Sequence, residues 1–134
     1  MPNQAHLLLQ LPAGGNINLN KLVGNGKRFM TYALIERLEE SGRHDLLTKL
    51  SEGCSARERA KGQKHKGFEK SFDAKPVYNL DFLHQKLDYI HHNPVSGKWN
   101  LCCEFVEYLH SSAAFYELGQ VHSFLEIADY RLYW

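Results

Sequence analysis

The sequence predicts a fold of the α+β class, in which strands and helices pack into a single domain spanning residues 1–134. The short apolar run "HLLLQL", residues 6–11, ends at the turn sequence "PAGG" and is typical of a buried strand. Two longer segments, beginning at Lys27 and Leu80, carry apolar residues at helical spacing. A chain of 134 residues is long enough for one hydrophobic core but short for two.

The first predicted helix begins at Lys27, where "KRFMTYALIERLEE" places apolar residues on one side at helical spacing: Phe29, Ala33, Leu34 (or Met30) and Leu38. The "SG" that follows is a stop signal for that helix. A second short helix is predicted for "HDLLTKL", residues 44–50, and extends to the region of Gly53.

The segments after residue 56 differ sharply in polarity. "RERAKGQKHKGFEK", residues 57–70, contains six Lys or Arg and two Glu, and predicts a basic exposed loop because it is too polar to pack. "FEKSFDAKPVY", residues 68–78, has strand-like aromatic and apolar positions, with Pro76 at an edge or an end.

The next helix is predicted to run from Leu80 to about His92. Asn79 is a suitable N-cap for it. Pro94 disfavours helical geometry at the preceding residue, so the helix is expected to end at Asn93.

The composition is that of an ordinary globular protein, and no apolar run is long enough to span a bilayer. We therefore expect no membrane partner. Met1 leads into no signal segment, and the three cysteines lack a C-x-x-C spacing. Together these features predict a cytoplasmic protein with reduced thiols.

Charge is distributed unevenly along the chain. Residues 1–100 hold 15 of the 16 Lys and Arg and 10 of the 15 acids, a net charge of +5, whereas residues 101–134 carry −4. A basic body with an acidic tail suggests a polyanion partner for the first part. A solvated surface that happens to divide in this way is the alternative interpretation.

The helix that begins at Leu80 sets a tyrosine apart from its apolar residues. The stripe formed by Leu80, Leu83, Leu87 and Ile90 predicts the core face. Tyr89 lies on the other side, and the residue four positions later, an asparagine, falls beside it. One interpretation is a nucleophile with a metal ligand one turn later, and the other is an exposed tyrosine followed by a capping asparagine.

Two motifs together resemble one family of enzymes. "MPNQAHLLL" at the start of the chain resembles the "MPNHxHLLL" strand of the single-tyrosine HUH transposases. "YIHHNPVSGKW", residues 89–99, resembles the "YIHxNPV" helix end of the branch associated with repetitive extragenic palindromes and related insertion sequences. "SFDAKPVY" and "HSSAAFYELG" are also similar to this family, so the resemblance covers most of the chain.

The resemblance implies a fold and an activity. The fold is an antiparallel sheet flanked by helices, of the ferredoxin or RRM-like kind, here missing its leading strands. The activity is metal-dependent cleavage and rejoining of single-stranded DNA through a 5′-phosphotyrosine intermediate. By resemblance Tyr89 is the nucleophile, and His6, Gln4 and Asn93 hold Mg²⁺ or Mn²⁺. The implied partner is hairpin-containing single-stranded DNA, bound by a monomer or a homodimer.

The sequence departs from the family pattern at two places. Position 4 is Gln rather than His, although an amide oxygen is also able to ligate a hard cation. Met1 coincides with the methionine of the motif, so we expect a domain incomplete at its N-terminus, or a mis-assigned start. A non-catalytic nucleic-acid-binding remnant of such a transposase is therefore the alternative, and a fragment that does not fold alone is a third.

Further residues are candidates for contacts with DNA or for the site. Phe68 and Tyr78 either stack on unpaired bases or belong to strand cores. We expect His91 to pack near the helix end, His92 to face solvent, and His110 to be a hydrogen-bonded structural residue. The candidate phosphate contacts are the cations Lys27, Arg28, Arg57, Arg59, Lys61, Lys64 and Lys66.

Overall fold

A computed structural model describes residues 4–12, 14–97 and 99–134. Within these ranges the chain is helical and contains no β-strand, so the predicted α+β fold with an antiparallel sheet is wrong. The α-helices are α1 (Leu19–Glu40), α2 (His44–Glu52), α3 (Ala56–Ala60), α4 (Leu80–His92) and α5 (Ala113–Leu118). Short 3₁₀-helices span Asn93–Val95, Phe105–Glu107 and Tyr130–Leu132.

The chain divides into two compact units. We call residues 4–9, 75–97 and 99–134 the tyrosine unit, and residues 10–12 and 14–74 the basic unit. Residues 10–74 carry a net charge of +4, and the rest of the chain carries −3. The single domain expected for residues 1–134 stays a prediction.

In the basic unit, α1 begins eight residues before the predicted start at Lys27. Asn18 caps it, because the Asn18 Oδ1 accepts a hydrogen bond from the Lys21 backbone N–H at 3.0 Å. The helix ends at Ser41, as the "SG" signal predicted, and Gly42 follows at a φ of 65°. The prediction of α2 is also confirmed.

The predicted loop of residues 57–70 begins with a helix instead. Ser55 and Glu58 form a capping box, in which the Glu58 Oε2 accepts from the Ser55 backbone N–H at 2.8 Å and the Ser55 Oγ accepts from the Glu58 backbone N–H at 3.3 Å. The Ser-x-x-Glu spacing is present in the sequence and was overlooked. Residues 61–70 are free of regular structure, as predicted.

The chain after α3 is fastened to α1. The Lys27 ammonium donates to the backbone oxygens of Glu69 and Ser71, each at 2.8 Å. Gly67 packs directly against Thr31, so closely that a Cβ on Gly67 would lie 2.6 Å from the Thr31 Oγ1. These contacts hold the segment in place without strand pairing.

The two predicted strands are irregular chain. Residues 6–11 form no ladder, and Leu7, Leu8, Leu9 and Leu11 are all exposed, Leu7 to 68 %. Residues 68–78 are likewise irregular, and Tyr78 is 79 % exposed, which excludes the predicted core position. A strand needs a neighbouring strand to satisfy the hydrogen bonds of its backbone groups. Among the described residues, no segment pairs in this way with residues 6–11 or 68–78.

In the tyrosine unit, α4 covers the predicted residues from Leu80 to His92. The Asn79 Oδ1 accepts from the Phe82 backbone N–H at 2.8 Å, so the predicted cap is confirmed. Leu83 and Leu87 are buried, whereas Leu80 is exposed. The α-helix ends at His92 with Asn93 as its C-cap, so the predicted end is confirmed. Asn93 nevertheless keeps helical dihedrals (φ −53°, ψ −41°) as the chain tightens into a 3₁₀ turn, so the non-helical geometry expected before Pro94 is wrong.

The C-terminal part of the tyrosine unit packs on α4. Its fully buried residue is Ala113, the first residue of α5. The His91 Nε2 and the Ser112 Oγ are 3.0 Å apart, which links the end of α4 to the start of α5. Across the described ranges, no helix combines the length and the apolar character needed to cross a membrane.

Candidate active site around Tyr89

Tyr89 and His6 lie side by side in the tyrosine unit. Their ring centroids are 5.9 Å apart, and the ring planes meet at 89°, an edge-to-face contact. Tyr89 is 54 % exposed, so its ring is accessible to a large substrate. Two residues that lie far apart in the sequence thus meet on the side of α4 that faces away from Leu83 and Leu87.

Desolvation lowers the pKa of His6 below its ordinary value of 6.5. The imidazole is therefore neutral over a wider pH range, including pH 7. Only a neutral imidazole offers a lone pair to a metal ion, so this shift favours ligation.

Asn93 lies one turn after Tyr89 and is buried, with 8 % of its surface exposed. Its Nδ2 is buried and has no hydrogen-bond partner in the described part of the chain. An amide with a free polar end is costly to bury unless a ligand or a rotation of the side chain satisfies it. A half-turn about the last side-chain bond exchanges nitrogen for oxygen and presents a metal-binding atom.

The predicted ligand set of His6, Gln4 and Asn93 consists of neutral groups. Gln4 is exposed. One imidazole and two amide oxygens fit a hard cation by atom type, but no carboxylate neutralises its charge. Such a set binds Mg²⁺ or Mn²⁺ weakly unless phosphate oxygens complete the coordination. Elsewhere among the described residues, no group of three His, Cys, Asp or Glu side chains is placed to hold a metal ion.

A cation shares the helix face of Tyr89. Lys86 lies one turn before Tyr89 on α4, with its ammonium 4.8 Å from the centroid of the Phe82 ring. A positive charge at this position suits a phosphate that approaches the phenol. The three-residue spacing was visible in the sequence, but Lys86 was not singled out as a phosphate contact.

Three of the seven predicted DNA-contacting cations are engaged within the basic unit. Lys27 binds two backbone oxygens, and Arg59 donates to the backbone oxygens of Cys54 and Ser51, each at 3.1 Å. Lys66 pairs with Glu69 at 2.8 Å. These three side chains stabilise the fold of the unit.

The other four cations point to solvent. Arg28 is exposed, with its guanidinium 5.0 Å from the centroid of the Phe29 ring. Arg57, Lys61 and Lys64 are exposed, and their side chains form no hydrogen bond or ion pair with any described residue. The DNA contacts themselves stay a prediction.

The remaining histidines follow the sequence-based expectations in part. His91 is buried, and burial lowers its pKa, while His92 is exposed, so both placements are confirmed. His110 has no hydrogen bond among the described residues and instead lies beside the rings of Tyr108 and Phe124. The hydrogen bond expected for His110 was therefore wrong.

Comparison with models of protein families, with curated proteins and with solved structures finds no significant match to this chain. The functional assignment therefore depends on the two motifs and on the geometry around Tyr89.

Proposed function

We propose that this chain is a transposase domain that cleaves and rejoins single-stranded DNA with Tyr89 as its nucleophile. The observation that carries the proposal is the contact between the Tyr89 and His6 rings. These residues come from the two motifs that resemble the single-tyrosine transposases. An accessible phenol beside a neutral imidazole is the arrangement that such a reaction needs.

In the proposed reaction, the Tyr89 oxygen forms a bond to the scissile phosphorus as the phenol loses its proton. The bond from phosphorus to the 3′ oxygen of the preceding nucleotide breaks, and that oxygen takes up a proton. Rejoining reverses the exchange with another 3′ hydroxyl, so the energy of the phosphodiester is retained. His6, with the amide oxygens of Gln4 and Asn93, would hold Mg²⁺ or Mn²⁺, which polarises the phosphate when bound.

The test is incubation of the full chain with hairpin-flanked single-stranded DNA and Mn²⁺. A covalent protein–DNA adduct is expected on a denaturing gel, and Tyr89→Phe should abolish it. Tyr78→Phe is the matched control, because Tyr78 is an even more exposed tyrosine in the same unit. An adduct that survives Tyr89→Phe, or the absence of any adduct with the unaltered chain, would overturn the proposal.

A second candidate is a DNA-binding protein without catalytic activity. It is favoured by the net charge of +4 on residues 10–74, by the solvent-facing cations of the basic unit, and by the neutral metal-ligand set. This candidate predicts salt-sensitive hairpin binding that persists in Tyr89→Phe and in EDTA. Binding that EDTA abolishes would count against it.

The basic cations offer a way to locate that binding. Combined Gln substitutions at Arg57, Lys61 and Lys64 should weaken DNA affinity and reduce the slope of log affinity against log salt by about 2 to 3. The control carries Gln at Lys21, Arg37 and Lys49, which removes the same charge from α1 and α2. An equal loss of DNA affinity in the control would show that binding depends only on the net charge of the protein and not on these three positions.

A further inference from the structure

A cavity of about 220 Å³ lies on another side of α4 from Tyr89, within the tyrosine unit. One wall is the α4 face that carries His84 and His92. Phe105, Tyr116 and Tyr130 come from the three later helical segments and form the rest. This site was not predictable from the sequence, because its residues share no spacing pattern.

The aromatic walls of the cavity are held in place by contacts among themselves. The His92 and Phe105 rings are 4.2 Å apart between centroids, and the Tyr116 and Tyr130 rings are 5.2 Å apart. The His84 Nε2 lies 3.0 Å from the Tyr130 Oη. The rings are therefore positioned before any ligand arrives, which lowers the entropic cost of binding.

Acidic side chains supply the formal charge of the cavity lining. The Asp88 carboxylate lies 3.1 Å from the His92 Nδ1, while Glu117 is exposed and its side chain has no hydrogen bond or ion pair with a described residue. Among the residues that the structure describes, no Lys or Arg lines the cavity. Because Asp88 and Glu117 are the formal charges of this lining, it favours a cation.

One of the cavity rings already carries a guanidinium. The Arg131 Cζ lies 5.6 Å from the centroid of the Tyr116 ring, and Arg131 is fixed there by its ion pair with Asp129 at 2.8 Å. Burial raises the pKa of Tyr116, so its ring stays neutral and keeps an electron-rich face.

We propose that this cavity binds the guanidinium group of an arginine. A planar cation stacks on the aromatic walls and donates several hydrogen bonds in its plane, which suits carboxylates at separate places on the rim. A compact ammonium would make only one of these kinds of contact well. The volume is below the roughly 300–1,000 Å³ typical of sites for drug-sized ligands, which fits a side-chain head group. The proposal is independent of the transposase reaction.

The test uses N-acetyl-arginine amide and its neutral isostere N-acetyl-citrulline amide as probes. Both are titrated into the full chain at low salt, while NMR follows the aromatic signals of Tyr116, Tyr130 and Phe105. Saturable shifts are expected with the arginine probe and at least tenfold weaker ones with citrulline. Equal responses to the two probes, or no response to either, would overturn the proposal.

A pair of matched variants locates the binding. Glu117→Gln should weaken the affinity for the arginine probe about fivefold, the effect of losing one partly screened ion pair. Glu126→Gln removes the same charge from an exposed residue that does not line the cavity, and should change the affinity less than twofold. Equal losses of affinity in the two variants would show that only the net charge of the protein matters, and would overturn the proposed site.

The same titration identifies the source of the guanidinium. Methylguanidinium supplies the head group alone, and the tripeptide Gly-Arg-Gly supplies it within a peptide. Tighter binding of the tripeptide supports a protein partner that presents an arginine, whereas equal binding supports a free small guanidine. Preference for a lysine tripeptide over the arginine one would contradict the choice of cation.

Discussion

Gly67 and Thr31 meet at a point in the basic unit where a side chain on Gly67 has no room. The Thr31 Oγ1 donates to the Lys27 backbone oxygen at 2.8 Å, so the threonine side chain is fixed and cannot turn away. A Cβ on Gly67 would lie 2.6, 3.0 and 3.2 Å from the Thr31 Oγ1, Cγ2 and Cβ. Glycine is required here by a close approach between two segments.

Gly67→Ala should therefore lower the free energy of unfolding by about 1–3 kcal/mol, the usual cost of inserting a methyl group into a tight contact. Chemical denaturation followed by far-UV circular dichroism measures it. Gly24→Ala is the control, because nothing lies within 4 Å of that position in α1 and alanine favours a helix. Equal stability of the two variants would show that Thr31 moves away from the added methyl group without an energetic cost.

Glu58 is a buried carboxylate whose charge is well satisfied. Hydrogen bonds from the Ser55 backbone and hydroxyl, and then the Lys70 ammonium, lower the pKa of Glu58 from 4.5 to about 2. A carboxylate with a depressed pKa stabilises the folded state above its unfolded pKa. That stabilisation is lost as the pH falls from about 4.5 towards about 2.

Glu58→Gln should consequently be less stable than the unaltered chain at pH 7, and the difference should shrink as the pH approaches 2. Urea denaturation of both proteins over this pH range measures the effect. Glu40→Gln, which removes an exposed carboxylate from α1, should retain the original pH dependence. If the difference in unfolding free energy between Glu58→Gln and the unaltered chain stays constant over this pH range, the ionisation of Glu58 is not its cause.

At the scale of elements, helices were predictable where their signals are local. The cap at Asn79 and the stop at "SG" each involve residues within one turn of a helix end, and both are present in the structure. The box at Ser55 and Glu58 has an equally local signal, although the charged residues around it indicate a loop. A local hydrogen bond is encoded by neighbours in the sequence, so spacing suffices to find it.

Strands were not predictable in the same way. The run at residues 6–11 has the composition of a strand, yet its backbone groups need a second strand that no local pattern can specify.

The candidate site shows the same contrast between local and long-range features. The placement of Tyr89 off the core stripe followed from helix periodicity, whereas its contact with His6 followed only from the family resemblance.

Asn79→Ala tests the contribution of a cap to α4. Loss of the hydrogen bond to the Phe82 backbone N–H should lower the free energy of unfolding by about 1 kcal/mol, measured by the tryptophan fluorescence of Trp99 and Trp134 during denaturation. Gln85→Ala, at an exposed position within the same helix, should change it by less than about 0.5 kcal/mol. Similar losses in the two variants would assign the effect to helix propensity.

At the scale of the whole molecule, little apolar surface is buried. Among the described residues the buried apolar side chains are Cys54, Leu83, Leu87 and Ala113. Large apolar side chains such as Val121, Phe124 and Leu132 are mostly exposed. With so small a hydrophobic contribution, individual electrostatic and hydrogen-bonding terms form a large share of the stability, so pH should act strongly on both units.

The two units differ in the group that titrates first. In the tyrosine unit, burial lowers the pKa values of His91 and His6 below 6.5, so the folded state resists protonation that the unfolded state accepts. The contribution of the neutral imidazoles to the free energy of unfolding is therefore fully present above about pH 6.5, and it is lost as the pH drops below that value. In the basic unit, the loss due to Glu58 begins only below about 4.5.

Acidification in a chelator-containing buffer should thus change the tryptophan fluorescence at a higher pH than the far-UV circular dichroism. Both tryptophans belong to the tyrosine unit, while the basic unit holds the long helix α1 together with α2 and α3. His91→Gln removes the more buried of these two imidazoles and should shift only the fluorescence transition to lower pH. Glu58→Gln should alter only the dichroism transition. If both variants move both transitions together, the two units unfold as one, and the separate assignment of His91 and Glu58 fails.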